Sequence, residues 1–351
     1  MSQQAYGTQA SRNLILAAQG MLTHAMPITV LGDFGDQKEM PKNSTDTLVF
    51  RRTLPFGAST TGSGIGGQQY NGTPQINANN FVLQEGVTPN ANTIAFQDVS
   101  VQLQDFGILF KYTSKSALMY QDNIPEEMQK ICGETMAEIL ELVRYGVIKA
   151  GTQVVYANGS SRSAVNTGIS MNLLNKTARI LESNRAKRVT KRIAASVNYG
   201  SKSVQPAYLV FVHTDGVADV RNLPGFKSIE DYGSFQPVHD AEFGACGDYR
   251  FLKSPLFNAF LGAGSSTLNG MVSVAGTNVD VYPFLVVAES AWGSVALKGF
   301  NAMKPTHIPY NSTNHANPLG RYGYVGASTF FNAVRLNEAF VVRLECAVTS
   351  L

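Results

Sequence analysis

The feature that most limits how this chain can fold is the stretch "GASTTGSGIGGQQYNGTPQINANN", residues 57–80. Its six glycines and near absence of large apolar side chains leave it nothing with which to build a core. A loop of this length inside a compact domain is uncommon and usually functional. Fully extended, its 24 residues span about 80 Å. The flanking sequence is regular. Upstream stands the strand-like "TLVFRRTL". Downstream, in "TIAFQDVSVQLQDFGILFKYT", Val99, Val101 and Leu103 alternate with Ser100, Gln102 and Gln104, the period of a half-buried strand. The apolar set continues at Phe106, Ile108, Phe110 and Tyr112 with its parity flipped, so a bulge or bend is expected at Asp105 to Gly107. The whole reads as a long two-stranded arm around a glycine-rich tip. An isolated hairpin is marginal in water, so the arm is expected to lie on a partner outside the subunit.

Two helices are predicted with their limits. In "NIPEEMQKICGETMAEILELVRYGVIKAG", Pro125 suits the first helical position and Glu126 and Glu127 suit the positive end. Met128, Ile131, Thr135, Ile139, Leu142, Val143 and Val147 recur at helical steps and are expected to be buried, with Gly151 closing the helix. At about 26 residues it runs roughly 39 Å. Ser170 is placed to cap a second helix in "SMNLLNKTARILESNRAKRVTKRI". Its basic residues, Arg179, Arg185, Lys187, Arg188, Lys191 and Arg192, read as a solvated face or as salt-bridge partners, with nucleic-acid contact as the alternative. Near the N-terminus, Leu14, Ile15, Ala18, Met21, Leu22 and Ala25 form a short helical stripe ended by Pro27, without the basic leader and continuous apolar core of a targeting segment.

The rest is mixed. "PAYLVFVH" is a buried strand, "TDGVADVRNL" a capped helix, and "VDVYPFLVVA" and "WGSVALKG" further strands. In "EAFVVRLECAVTSL", Val342, Leu344, Cys346 and Val348 alternate with Arg343 and Glu345, which predicts a strand with one covered face. No internal repeat is visible and the elements do not alternate βαβ, so the fold class is α+β. At 351 residues the chain suffices for two domains or for one with long extensions. Only 15% of its residues are charged, against a usual quarter. Such neutral surface suits burial against other subunits. The net charge of +3 lacks the basic excess of a dedicated nucleic-acid binder. The three cysteines make no CxxC and no disulfide framework, which fits a reducing compartment, and the five histidines have no metal-ligand spacing. No apolar run approaches the length of about 18 needed to span a membrane, and no membrane partner is expected.

"EFGACGDYRFL" invites a catalytic reading, with Cys246, His213 and Asp215 as a cysteine hydrolase triad. That chemistry needs a thiolate held near a base, often at a helix N-terminus. Here an extended run follows Cys246, Asp215 stands where a helix N-cap belongs, and His213 ends a strand. The same residues form a β-hairpin more simply. Gly247-Asp248 is the turn, Cys246 lies opposite Tyr249, and Gly244 lies opposite Phe251. "GSGIGG" lacks the lysine and hydroxyl of a phosphate loop. No catalytic residue, cofactor or metal is expected.

Several segments, in order, resemble the tailed-phage major capsid proteins typified by the short-tailed coliphage N-four. They are "MLTHAMPITVLGDFGDQKEMPKN" with "FRRTLP", "EGVTP" with "FQDVSVQLQDFG" and the long helix, "AEFGACGDYRFLKSP", "VYPFLVVAESAWGSVAL", and "NPLGRYGYVGASTFFNAVRLNEAFVVRLECA". The resemblance covers nearly the whole chain and implies the Hong Kong phage capsid fold, which is α+β. It implies an N-arm at 1–45, an extended E-loop at 46–112 with a glycine-rich insertion at 57–80, and a peripheral (P) domain at 113–203 whose spine helix is 125–150. An axial (A) domain at 204–325 and a closing strand of the P domain at 326–351 complete it. At the position of Cys246 the family more often keeps an aliphatic residue. No lysine or arginine lies between Arg52 and Lys111, so the E-loop lysine cross-link of some such shells does not carry over.

The function implied is a structural one. Many copies, as hexamers and pentamers, would assemble in the host bacterial cytoplasm into an icosahedral shell around double-stranded DNA. A separate scaffolding protein, a portal and possible decoration proteins are expected as partners, with little or no N-terminal processing and only loose, nonspecific contact with packaged DNA. Arg51, Arg52, Glu85 and Phe96 are the candidate inter-subunit contacts. An encapsulin-like protein compartment is the alternative of the same fold, and the cysteine hydrolase is the alternative from another class.

Overall fold

A helix of 26 residues beside several short apolar runs implies a beam against which sheets are laid, and the computed structural model has that design. It describes residues 29–43, 45–53, 78–89, 96–120, 123–189, 206–233, 236–298 and 304–351. The stripe expected at 14–25, residues 57–77 of the glycine-rich stretch, Lys191 and Arg192 lie outside the described residues. The first half of the chain contributes β1 (Asp36–Met40), β2 (Thr47–Thr53), β3 (Phe96–Gln102), β4 (Gln104–Thr113), α1 (Ser114–Met119), α2 (Ile124–Lys149), β5 (Val154–Tyr156) and α3 (Met171–Ser183). The second half contributes β6 (Tyr208–His213), α4 (Val217–Arg221), β7 (Phe226–Ser228), β8 (Glu242–Cys246), β9 (Tyr249–Ser254), β10 (Tyr282–Val287), β11 (Trp292–Leu297), β12 (Lys304–Ile308), β13 (Tyr322–Arg335) and β14 (Val341–Cys346).

Seven strands form one mixed sheet in the order β5-β14-β10-β6-β9-β8-β7. Its central strands are continuously apolar because both faces are covered. On β6, Tyr208, Val210 and Val212 face a core shared with Leu174 and Leu181 of α3. Leu209 and Phe211 face the opposite core, which holds Tyr145 and Ile148 of α2, Val30, Leu31, Phe34 and Trp292. The second sheet is built on β13, which pairs with β4 along one side and with β11 and β12 in succession along the other, β1 adding to β11 in parallel. The first half of α2 lies on this sheet. Ile124 and Met128 meet Tyr112 and Val325, and Cys132 and Met136 meet Ala327. One helix therefore spans both sheets and fixes their relation.

The α2 limits agree with the expected 125–150 to within a residue, with proline in the first turn and Glu126 and Glu127 behind it. Its expected stripe needs correction. The buried residues are Ile124, Met128, Cys132, Met136, Glu141, Tyr145 and Ile148, whereas Ile131 is 50% and Leu142 39% exposed. The row that meets β4 and β13 is one position round the helix from the most apolar row. Three smaller corrections follow. The break in the arm falls at Leu103, between β3 and β4, the burial parity changes over the exposed Gln104 and Asp105, and β4 itself runs through Gly107 without a bulge. His213, not Asp215, caps the turn before α4, its ring accepting the Asp215 N–H at 3.2 Å. β14 is covered on both faces, because Glu345 is fully buried between Arg162 and Arg343.

The stretch expected as one closing strand, 326–351, is divided: β13 belongs with the first half of α2, whereas β14 inserts between β5 and β10 of the seven-stranded sheet. The β8–β9 hairpin has the register read from sequence, Cys246 opposite Tyr249 and Gly244 opposite Phe251. Its turn residue Gly247 has φ of 58°, a conformation that glycine adopts without penalty. At Gly244 a Cβ would stand 2.1 Å from the Phe226 ring and 2.7 Å from the Lys227 carbonyl, so only glycine permits β7 to lie this close.

Candidate functional site

The two-stranded arm is the candidate site, and its alternation decides what each residue does. β2 and β3 pair antiparallel, with Phe50 opposite Val99, Arg51 opposite Asp98, Arg52 opposite Gln97 and Thr53 opposite Phe96. One face carries Leu48, Phe50 and Arg52. Phe50, Val99 and Val101 are buried there with Met40 of β1 and Val295 of β11. The root of the arm thus lies on its own chain, and the expectation that the whole arm needs an outside partner is corrected to the part beyond it. Asn332 adds a hydrogen bond from its side-chain amide to the Gln102 carbonyl at 2.7 Å.

The four candidate contacts divide between surfaces. Arg51 points outward, its side chain 67% exposed, and makes a bidentate pair with Asp98 at 2.7 and 2.8 Å. The hydrogen bond from Arg51 holds the Asp98 carboxyl below its ordinary range, with the opposite charge adding to it. The Arg51 guanidinium is 5.9 Å from the ring centre of Phe96, which is 60% exposed. These two residues form one outward patch. Arg52 is on the other face, half-buried, with Nε and Nη2 donating to Gln97 Oε1 at 3.1 and 2.6 Å. Glu85 lies in a separate exposed turn, closed by the Val87 N–H on the Gln84 carbonyl at 3.2 Å. Around that turn Phe81, Val82, Leu83 and Val87 are all exposed, Val82 at 72%. A row of four large apolar residues on solvent is more than scattered surface apolarity explains.

The alternative catalytic trio does not assemble. Cys246 is opposite Tyr249 and Tyr249 is opposite Tyr208, whereas His213 is opposite Ser254. The cysteine and histidine stand near opposite ends of strands two apart in the sheet, about five residues or roughly 16 Å apart along the strand direction alone. Cys246 Sγ contacts Met171 Sδ at 3.7 Å and the Pro224 carbonyl at 3.6 Å, and burial pushes its thiol pKa up. Asp215 accepts the Tyr282 hydroxyl at 2.8 Å. Among the described residues, no group of three histidine, cysteine or acidic side chains is placed to hold a metal. Of the basic residues after α3, Arg188 is a structural partner, 3.3 Å from Glu182 and 2.9 Å from Asp248.

Sequence reasoning passed over the buried carboxylates. Glu141, in the middle of α2, is fully buried and accepts the Val30 and Leu31 N–H groups at 2.8 and 2.6 Å, with Arg144 at 3.5 Å. Glu242 is buried against Arg250 at 3.2 Å and accepts the Tyr232 hydroxyl and the Val238 N–H. Each fixes a loop to a regular element. The only sequence signal was an acid inside an otherwise apolar run.

No family model matches the chain, and no curated protein matches its sequence. Solved structures match its fold from end to end. The capsid of Ralstonia phage GP4 is similar at 11% identity and a TM-score of 0.61, over 98% of this chain and 97% of that one. The head of Helicobacter pylori bacteriophage KHP40 is similar at 10% identity and a TM-score of 0.58, over 97% and 94%. The capsid of the cyanophage P-SCSP1u is similar at 12% identity and a TM-score of 0.57, over 95% and 92%. The chain has the α+β fold of phage capsid proteins, as the resemblance of its sequence implied.

Proposed function

We propose that the chain is a major capsid protein, many copies of which assemble into an icosahedral shell enclosing a double-stranded DNA phage genome. The observation that carries this is the fold likeness to phage capsids over nearly the full length of both chains. The work is mechanical rather than catalytic. Full burial of a large apolar side chain contributes about 1.5–3 kcal/mol, and Phe81, Val82, Leu83, Val87 and Phe96 stand ready to be covered by a neighbouring copy. That gain offsets the backbone and side-chain entropy lost when an arm is ordered.

In this reading residues 1–45 are the N-arm, 46–112 the E-loop, 113–203 the P domain, 204–325 the A domain and 326–351 the closing segment. Arg51 and Phe96 face a neighbour, while Arg52 stiffens the arm from behind. Scaffolding and portal proteins are the further partners, and assembly takes place in the bacterial cytoplasm. Particles from infected cells test the proposal. Electron microscopy should show uniform polyhedral shells that contain this chain and DNA. A small soluble oligomer in the presence of scaffolding partners refutes it, and shells filled with protein cargo favour an encapsulin-like compartment.

A further inference from the structure

Where α2 ends against β14, three cations gather on one aromatic ring. Lys149 Nζ is 4.0 Å from the centre of the Phe260 ring, the Arg162 guanidinium 3.5 Å and the Arg343 guanidinium 5.9 Å. A single carboxylate answers them. Glu345, fully buried, accepts Arg162 Nε and Nη2 at 2.7 and 2.8 Å and Arg343 Nε at 2.7 Å. The neighbouring Arg335 is matched by its own acid, Glu338, at 2.6 Å and brings no excess. The C-terminal end of α2 supplies roughly half a negative charge, and Arg343 Nη1 donates to its Lys149 carbonyl. About one and a half positive charges are left over.

Donors are left over as well. Lys149 gives one proton to the Asn258 carbonyl at 2.8 Å, and an ammonium has three. Arg162 Nη1 and Arg343 Nη2 have no hydrogen-bond partner among the described residues. The side chain of Arg162 is 32% exposed, so the cluster opens to solvent, while that of Arg343 is 12% exposed and forms its floor. Burial lowers the Lys149 ammonium pKa, and repulsion from Arg162 and Arg343 lowers it further.

We propose that Lys149, Arg162 and Arg343, over Phe260, form a binding site for one oxyanion, filled in the assembled protein by an acidic side chain of a second copy of this chain. The site itself rests on the geometry above, and only the choice of occupant rests on the shell reading. An oxyanion fits because guanidinium and ammonium donors left without partners around one ring form charge-assisted hydrogen bonds with carboxylate or phosphate oxygens. The chain has acids to offer, since among the described residues Glu126 and Glu127, at the far end of α2, carry only Lys130 as an opposing charge, at 3.9 Å from Glu126.

The test has two arms. The full-length unassembled chain is titrated with inorganic phosphate at constant ionic strength, the phosphorus-31 linewidth being read. Saturation at one phosphate per chain is expected, with at least a tenfold loss of affinity in Lys149→Met, whose stem still covers Phe260. Absence of saturation in the wild type, or equal affinity in a Lys149→Met protein of unchanged circular dichroism, overturns the site whatever the protein assembles into. Should Lys149→Met fold poorly, Lys149→Gln gives the same comparison. In the second arm, Lys149→Glu is assembled with its natural partners, and the fraction of chains sedimenting as shells should fall at least tenfold. Normal shells from that variant, with phosphate binding intact in the wild type, overturn the second copy as occupant and leave the site. If the wild type forms no shells, the shell reading fails and the phosphate arm still decides the site.

Discussion

Replacing Glu141 by alanine and by glutamine separates what its shape does from what its charge does. The carboxylate is fully buried, holds two backbone N–H groups of the segment that enters β1, and faces Arg144, itself 12% exposed. Alanine strands both N–H groups, at about 1–3 kcal/mol each, and removes the partner of a nearly buried guanidinium, worth about 3–5 kcal/mol. These losses do not add in full, because the segment from Val30 to Phe34 can detach locally. A global loss of about 3–5 kcal/mol is expected for E141A by urea denaturation with unchanged slope, together with faster amide exchange at Val30 and Leu31. Glutamine keeps an oxygen on both N–H groups but, like alanine, leaves the Arg144 guanidinium without its opposing charge, so E141Q should cost less than E141A by about 1–3 kcal/mol.

Acidity supplies an independent reading of the same residue. Burial raises the Glu141 carboxyl pKa above its ordinary value near 4.5. Between that value and the raised one the folded state holds more protons than the unfolded, so this group's contribution is largest in acid and is lost as pH rises through the folded pKa. Stability of the wild type measured relative to E141Q should therefore fall as pH rises through that window. Equal costs for alanine and glutamine, or a difference that rises with pH, would refute the clamp.

Three further outcomes are expected. Gly244→Ala places a methyl group against the Phe226 ring and the Lys227 carbonyl, and a melting experiment should read a loss of about 1–3 kcal/mol; an unchanged melt means β7 is free to move. Cys246, packed between Met171 and Pro224 with its thiol pushed up by burial, should resist iodoacetamide in the folded chain and react on denaturation, and His213→Ala should not alter that; rapid native labelling would revive the hydrolase. Arg51→Ala breaks an exposed pair with Asp98, so the urea midpoint of the lone chain should stay put while shell yield drops. A shifted midpoint with normal shells would assign Arg51 to the subunit.

Local chemistry was legible in the sequence and long-range placement was not. The β8–β9 hairpin could be read to the residue because its register follows from a two-residue turn and a period of two. The α2 limits were legible for a similar reason, proline and acids at one end and Gly151 at the other. Burial of Glu141, Glu242 and Glu345 was not, since each is satisfied by partners far away in sequence, such as Val30 for Glu141 and Arg162 for Glu345. The arm was read correctly as two strands, but its root lies on Met40 and Val295, a contact no periodicity encodes. Of the candidate contacts, the pairing register joins Arg51 with Phe96 and turns Arg52 away.

The misplaced stripe of α2 carries the most information. Periodicity selects the stripe Met128, Ile131, Thr135, Ile139, Leu142, Val143 and Val147. Of these Met128 is buried, Thr135, Ile139, Val143 and Val147 are half-buried, and Ile131 and Leu142 are exposed, while the buried row runs on through Cys132, Met136, Tyr145 and Ile148. A helix wrapped on two sides is apolar over a wider arc than one lying on a single core. Ile131 and Leu142 remain about half and two-fifths exposed on the single chain. A selective pressure confined to the lone subunit has no reason to keep them apolar, whereas one acting on an assembly does. Serine at both positions should therefore leave the subunit's stability nearly unchanged, surface substitutions usually falling within about 0.5 kcal/mol, and should reduce the fraction of chains that sediment as shells. Loss of subunit stability with normal assembly would mean that the periodic row belongs to the fold after all.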